Sequence, residues 1–303
     1  MKNIKMVITL LILTASVNMA QDGLIRSYYT NKMLKQIENF KNGKLEGTNK
    51  YYTNAGTLKE VINYKQGIKD GTALYYSNDG VIKEIITFRD NKYNGEFRTF
   101  YENGILKETG TYSNGVIDGE YKSFYESGEL FASADFSTGK RVGVSKEYYK
   151  NGILKTEAEF KNGIQTGTTK WYYESGKIKS VNEYDDGQLH GMTTEYYESG
   201  SVEAERNYAF GKQNGTAKVY FEDGKIKFEE NYKSGAKEGI TKSYYKSGSV
   251  WTEQNFKKDK LEGETKIYRE DKTLWYIEKY SDGVLKASTE YAKDGSVAGE
   301  TKY

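Results

Sequence analysis

The chain of 303 residues contains no cysteine and no proline, and His190 is its only histidine. Absent cysteine excludes disulfides, thiolate metal sites, a cysteine nucleophile and a lipid-modified N-terminal cysteine, so the chain is not read as a lipoprotein. One histidine without cysteine leaves almost nothing from which to build a zinc site. Absent proline suits a chain that is mostly hydrogen-bonded strand, where proline would remove a ladder donor. Long hydrophobic runs are equally scarce. The one clear run, Met6 to Val17, follows Lys2 and Lys5 and precedes Ala20. It is short for a membrane span and has the order of a signal peptide: basic start, apolar core, small residue before a cut. The expected division is 1–20 signal peptide and 21–303 mature chain, exported to a periplasmic, cell-envelope or secreted location. Export would also remove net charge: 45 basic residues less Lys2 and Lys5 equals the 43 acids. A neutral chain has no concentrated positive footprint, so no nucleic acid is expected as partner.

What the chain does have is aromatics, 15% of residues, with 29 Tyr. Disordered chains are poor in these. They also recur. Phe40, Tyr64, Phe88, Tyr112, Phe136, Phe160, Tyr184, Tyr208, Tyr232, Phe256 and Tyr280 stand 24 residues apart, and glycine repeats in a second column from Gly47 through Gly167 to Gly263. So strict a period means one small unit, stacked in line and stabilised by its neighbours. Within residues 167–191 two stretches rich in Thr, Tyr, Val and Ile are divided by Ser175-Gly176 and closed by Asp186-Gly187, the pattern of antiparallel hairpins. The predicted fold is all-β, an elongated antiparallel β-meander repeat array of about eleven 24-residue hairpin units.

Register follows from the turn. A two-residue primed turn at Ser175-Gly176 puts Tyr173 opposite Ile178 and, further out, Gly167 opposite Tyr184. The same rule puts Gly95 opposite Tyr112. A ring covering a cross-strand glycine shields its backbone, so the glycine column is read as room for the ring. Tyr173, Ile178, Trp171 and Tyr184 then share a face expected to be the inner one, with Tyr172, Lys170, Lys179, Val181 and Glu183 on a wet face. The turns at Thr53–Gly56, at Ser77–Gly80 and around Lys272 are read as one residue longer than the others, which predicts less regular array ends.

The consensus, aromatic-Lys-Asn-Gly-x-x-x-Gly followed by Tyr-Tyr-x-Asn/Ser-Gly-x-Leu/Ile-Lys, is clear in Phe160–Gly163 to Gly167 and in Tyr148–Lys155. It resembles the MORN repeat in its bacterial variant, over about residues 28–303. The resemblance implies a protein-interaction or membrane-associating module and, by name, the YwqK-family antitoxins.

No nucleophile elbow or phosphate loop is present in the sequence. His190 occupies a loop position where sister units carry Glu46, Asp70, Asp118 or Glu238, and reads as a tolerated polar residue. Glu102, Glu126, Glu174 and Glu198 beside the turns read as solvated and lysine-paired. A line of lysines, Lys35, Lys59, Lys83, Lys107, Lys155, Lys179 and Lys227, follows the Leu/Ile column. Glu157, Glu205, Glu229 and Glu253 accompany it, a mixed surface. The expectation is therefore no enzyme, no cofactor and no metal. The chain is read as an exported scaffold for an unidentified protein partner, with lipid or envelope contact as a further possibility. The alternative is an antitoxin that neutralises a toxin. Outward Tyr148, Tyr172 and Tyr196 are the candidate partner-binding residues, because tyrosine supplies contact area at low entropic cost.

Overall fold

The computed structural model describes residues 22–303, so the signal-peptide reading of 1–20 lies outside the described residues. Every regular element among the described residues is a strand. The chain divides into two compact units, one ending at Asn94 and one running from Gly95 to Tyr303. Each is an antiparallel meander in which a strand pairs with its neighbours in sequence. The all-β meander expected from the period is what the chain forms.

The register holds where it was anchored on the two strict columns. Gly167 faces Tyr184 and the pairing continues to Trp171 opposite Ser180; Gly95 faces Tyr112. The turn itself differs from the expectation. The Tyr173 N–H donates to the Lys177 carbonyl and the Gly176 N–H to the Tyr173 carbonyl, both at 2.9 Å. Gly176 is left-handed at φ 83°, whereas Ser175 is not among the left-handed residues. This is a three-residue loop closed by a left-handed glycine, not a primed pair. Tyr173 therefore faces Lys177, and Tyr172 faces Ile178. Lys179 is left over as a bulge before Ser180 resumes the register. The primed turn sits at the other end of the unit, where Asp186 and Gly187 are both left-handed, at φ 46° and 76°.

The supposed extra residues are not there. The Thr53 N–H meets the Thr57 carbonyl at 2.8 Å and the Gly56 N–H meets the Thr53 carbonyl at 2.9 Å, the same loop as at Tyr173. Around Lys272 the loop is again the same length, with Lys272 in the glycine's place at φ 70°. At these loops irregularity enters by substitution, not insertion.

The glycine column needs a second correction. Gly47, Gly143 and Gly239 are left-handed, and a Cβ on any of them would meet nothing within 4 Å. The column is glycine because the chain turns there through a conformation that L side chains resist, not because the ring needs space. Clearance is the reason for a different glycine. Gly110 faces Phe97, and a Cβ on it would lie 2.8 Å from that ring.

The interior is thin and lies mostly on the glycine-bearing face. In the first unit Asn49 lies opposite Ile62 and Ala73 opposite Ile86, all buried. In the second, Phe97, Ala134, Ala158, Thr169, Thr193, Ala217, Thr241 and Thr265 are buried. Tyr184 belongs to this face, as expected. Ile178 and Trp171 do not close it, being 40% and 37% exposed. The bulge at Lys179 re-aims the end of the hairpin, and Tyr173 leaves the face through the turn.

Candidate binding surface

The opposite face carries alternating charge in two runs, separated by Val181 and Thr194. Lys146 faces Glu157, which faces Lys170 on its other side. Further along, Glu205, Lys218, Glu229, Lys242, Glu253 and Lys266 face one another in turn across successive strands. Ammonium-to-carboxylate distances are 3.6 Å for Lys146–Glu157, 3.8 Å for Lys218–Glu229 and 3.3 Å for Lys242–Glu253. Such exposed pairs contribute only about 0.2–1 kcal/mol each. Their value is to place opposite charges directly across strands and so penalise a slipped register. The acids were visible in the sequence. Their lysine partners lie three residues after the column glycines, and the register rule brings the two sets together.

Tyr148, Tyr172 and Tyr196 end strands Lys140–Tyr148, Ile164–Tyr172 and Gly191–Tyr196 beside this ladder. All three are half-buried rather than freely exposed. Their column mates show why: the Tyr220 hydroxyl donates to Glu205 and that of Tyr244 to Glu229, both at 2.7 Å. Burial first, and then the bonded carboxylate, push both phenols up to about 12.

The tyrosine that follows the strand-end aromatic has a role that the sequence did not reveal. Tyr125, Tyr149, Tyr173 and Tyr197 donate their hydroxyls to the carbonyls of Tyr148, Tyr172, Tyr196 and Tyr220, at 2.7, 2.7, 2.6 and 2.8 Å. Each bond ties one repeat to the next. Phe221 interrupts the series, and at Arg269 a guanidinium takes over, donating to the Tyr291 carbonyl at 2.7 Å. Recurrence of Tyr-Tyr was the available signal, but a backbone carbonyl as acceptor leaves no residue pattern to find.

The lysine line is resolved in the same region. Three of these lysines fold back over the turn aromatic: Lys107 over Tyr101 at 5.9 Å, Lys179 over Tyr173 at 5.6 Å, Lys227 over Phe221 at 5.7 Å; Lys59 and Lys155 instead pair with Glu60 and Glu147. Cation–π contact holds those three. Where the bulge residue is aromatic, ring meets ring, as in Phe131 with Tyr125 at 5.1 Å.

His190 is exposed, donates its backbone N–H to the Glu183 carbonyl, and stands edge-on to Phe210 at 5.4 Å. Among the described residues no group of three or more His, Asp or Glu side chains gathers as metal ligands would. The carbonyls of Glu126 and Glu174 accept from the side-chain amides of Asn103 and Asn151 one unit earlier, at 3.2 and 3.3 Å. The turn acids thus sit in a stacked edge.

Among solved structures the chain is similar to a TcdB2-TccC3 crystal structure without its hypervariable C-terminal region, at 12% identity and a TM-score of 0.20. It is also similar to the TcdB2-TccC3-Cdc42 crystal structure, at 9% identity and a TM-score of 0.15. Each match covers 92% of this chain but only 17% and 19% of the other, so this chain spans under a fifth of those proteins. No curated protein matches. The family model described as a MORN repeat variant matches ten times: at 21–42, 45–66, 69–90, 93–114, 117–137, 141–162, 165–186, 189–209, 213–234 and 237–258. These matches cover more than half of the chain and follow the hairpin period, and the chain belongs to the MORN repeat variant family.

Proposed function

We propose that this repeat protein is a non-enzymatic scaffold that acts outside the cytoplasm and holds a protein partner on its ladder face. One observation carries the reading: tyrosine, lysine and glutamate recur at the same positions on that face in consecutive units. A surface of that kind offers a partner many equivalent contacts and no indispensable one, which suits holding better than chemistry. Export rests on Lys2, Lys5, the apolar run to Val17 and Ala20.

The test places a photo-crosslinking residue at Glu174, beside Tyr172, in intact cells and follows both fractionation and the crosslinked partner. A mature protein beginning near Gln21 outside the cytoplasm is expected. Its crosslink should weaken when Tyr148, Tyr172 and Tyr196 are all serine and persist in His190→Ala. Full-length protein in the cytosol would overturn export. It would favour the second reading, an antitoxin whose partner is a toxin, which the resemblance to YwqK-family proteins supports. An undiminished crosslink in a folded triple variant would move the contact off these tyrosines.

A further inference from the structure

Two consecutive units depart from the lysine rule at the bulge. Trp251 and Trp275 stand where Lys179 and Lys227 stand elsewhere. Both are exposed, at 46% and 38%, and both are braced. Trp251 packs on Tyr245, with ring centres 5.9 Å apart. Trp275 has the Arg269 guanidinium 5.3 Å from its ring centre and Tyr276 at 5.2 Å, and its indole N–H donates to Glu290 at 3.3 Å. Strands Val250–Lys257 and Leu274–Ser281 are separated by one strand, Gly263–Tyr268. The two indoles are therefore carried two strand spacings apart, about 9.5 Å.

The rim sets the ligand's charge. At Trp275 the Arg269 guanidinium and the Glu290 carboxylate both touch the indole, and nearby Lys293 pairs with Asp271 at 2.8 Å. Charges that are already met by opposite charges draw neither a phosphate nor an ammonium group. Such a platform suits a neutral ligand with flat apolar faces at a regular interval and polar edges. Sugar rings in an extended β-linked glycan meet those terms: alternate rings present the same C–H face, and polarised C–H groups are attracted to the negative face of an indole.

We propose that Trp251 and Trp275 form a stacking platform for a neutral β-linked polysaccharide lying across the strands. This site is separate from the tyrosines assigned to a protein partner, and either can fail alone.

The experiment titrates the full mature chain with chitohexaose and with cellohexaose, reading tryptophan fluorescence and calorimetric heat. Trp251→Lys and Trp275→Lys insert the residue that sister units carry, so the fold has a precedent for both. Saturable binding of at least one hexasaccharide is expected, weakened about tenfold by each substitution and lost in the double variant. Trp171→Tyr, within strand Ile164–Tyr172 and outside the bulge column, should leave binding unchanged. The proposal is overturned if neither hexasaccharide binds, if the folded double variant binds as tightly as the parent, or if Trp171→Tyr loses as much. Capture by vesicles of anionic lipid with no response to either sugar would also overturn it and make the platform a membrane contact.

Discussion

A side chain at position 143 has open space and a hostile backbone. Gly143 sits at φ +66° with nothing within 4 Å of a built Cβ. If conformation is what selects glycine, cost must follow left-handed tolerance rather than size. Gly143→Asn should be mild, Gly143→Ala should cost about 1–2 kcal/mol, and Gly143→Val more, because β-branched residues resist this region most. Urea midpoints would rank the three; equal midpoints for alanine and asparagine would return the argument to ring clearance. Gly110 should behave in the opposite way, since an added methyl there strikes the Phe97 ring whatever the backbone allows.

Between neighbouring hairpins, stability depends on hydroxyls. Tyr197 donates to the Tyr220 carbonyl at 2.8 Å, whereas the next position in the series is Phe221. Phe221→Tyr should add that bond towards the Tyr244 carbonyl and raise stability by about 0.5–1.5 kcal/mol, with Tyr197→Phe losing a similar amount. Denaturant titration of both variants checks the pair, and no gain in the first would mean that Phe221 is held too far from its acceptor. The same elements carry a pH dependence. Phenols Tyr220, Tyr244 and Tyr280 are raised from 10.0 to about 12 by burial and by bonded carboxylates. A raised folded pKa means that the folded state keeps its proton longer than the unfolded chain. The stabilisation is thus complete below pH 10.0 and disappears as pH climbs through about 12. Urea midpoints should be flat with respect to these groups at neutral pH and fall in that alkaline window. Tyr220→Phe with Tyr244→Phe should make the fall shallower, and an unchanged slope would deny these two phenols the role.

For the molecule as a whole, the period is a rule about deletions. Excising residues 167–190 removes one repeat of 24 and joins Thr166 to Gly191, which preserves column, face and turn. That variant should keep its strand-like circular dichroism and unfold at somewhat lower urea, as nearest-neighbour arrays do when shortened. Excising 168–190, one residue fewer, moves every later side chain to the other face at the junction and should abolish cooperative unfolding. Similar behaviour of the two would show that the charge ladder and the hydroxyl ties do not hold register.

Strand, turn and pairing of the columns were legible because they are local. Alternation and glycine punctuation act within about ten residues, and one correct opposition, Gly167 with Tyr184, carries the rest of the hairpin. The loop at Ser175-Gly176 was less legible, because a Ser-Gly pair suits either turn. The choice is made by the left-handed glycine and by the bulge that returns Ser180 to register. The candidate tyrosines end successive strands at one repeated position, but their half-buried state is not written in the repeat. Sequence by itself determined the 24-residue unit, its antiparallel hairpins and the MORN resemblance, since each is written in residue type and spacing. Tertiary structure alone decided that tyrosine hydroxyls bind carbonyls 23 residues away and that bulge lysines cap rings. The physical reason is that a backbone acceptor is the same at every residue, so only folding can say which one a side chain reaches.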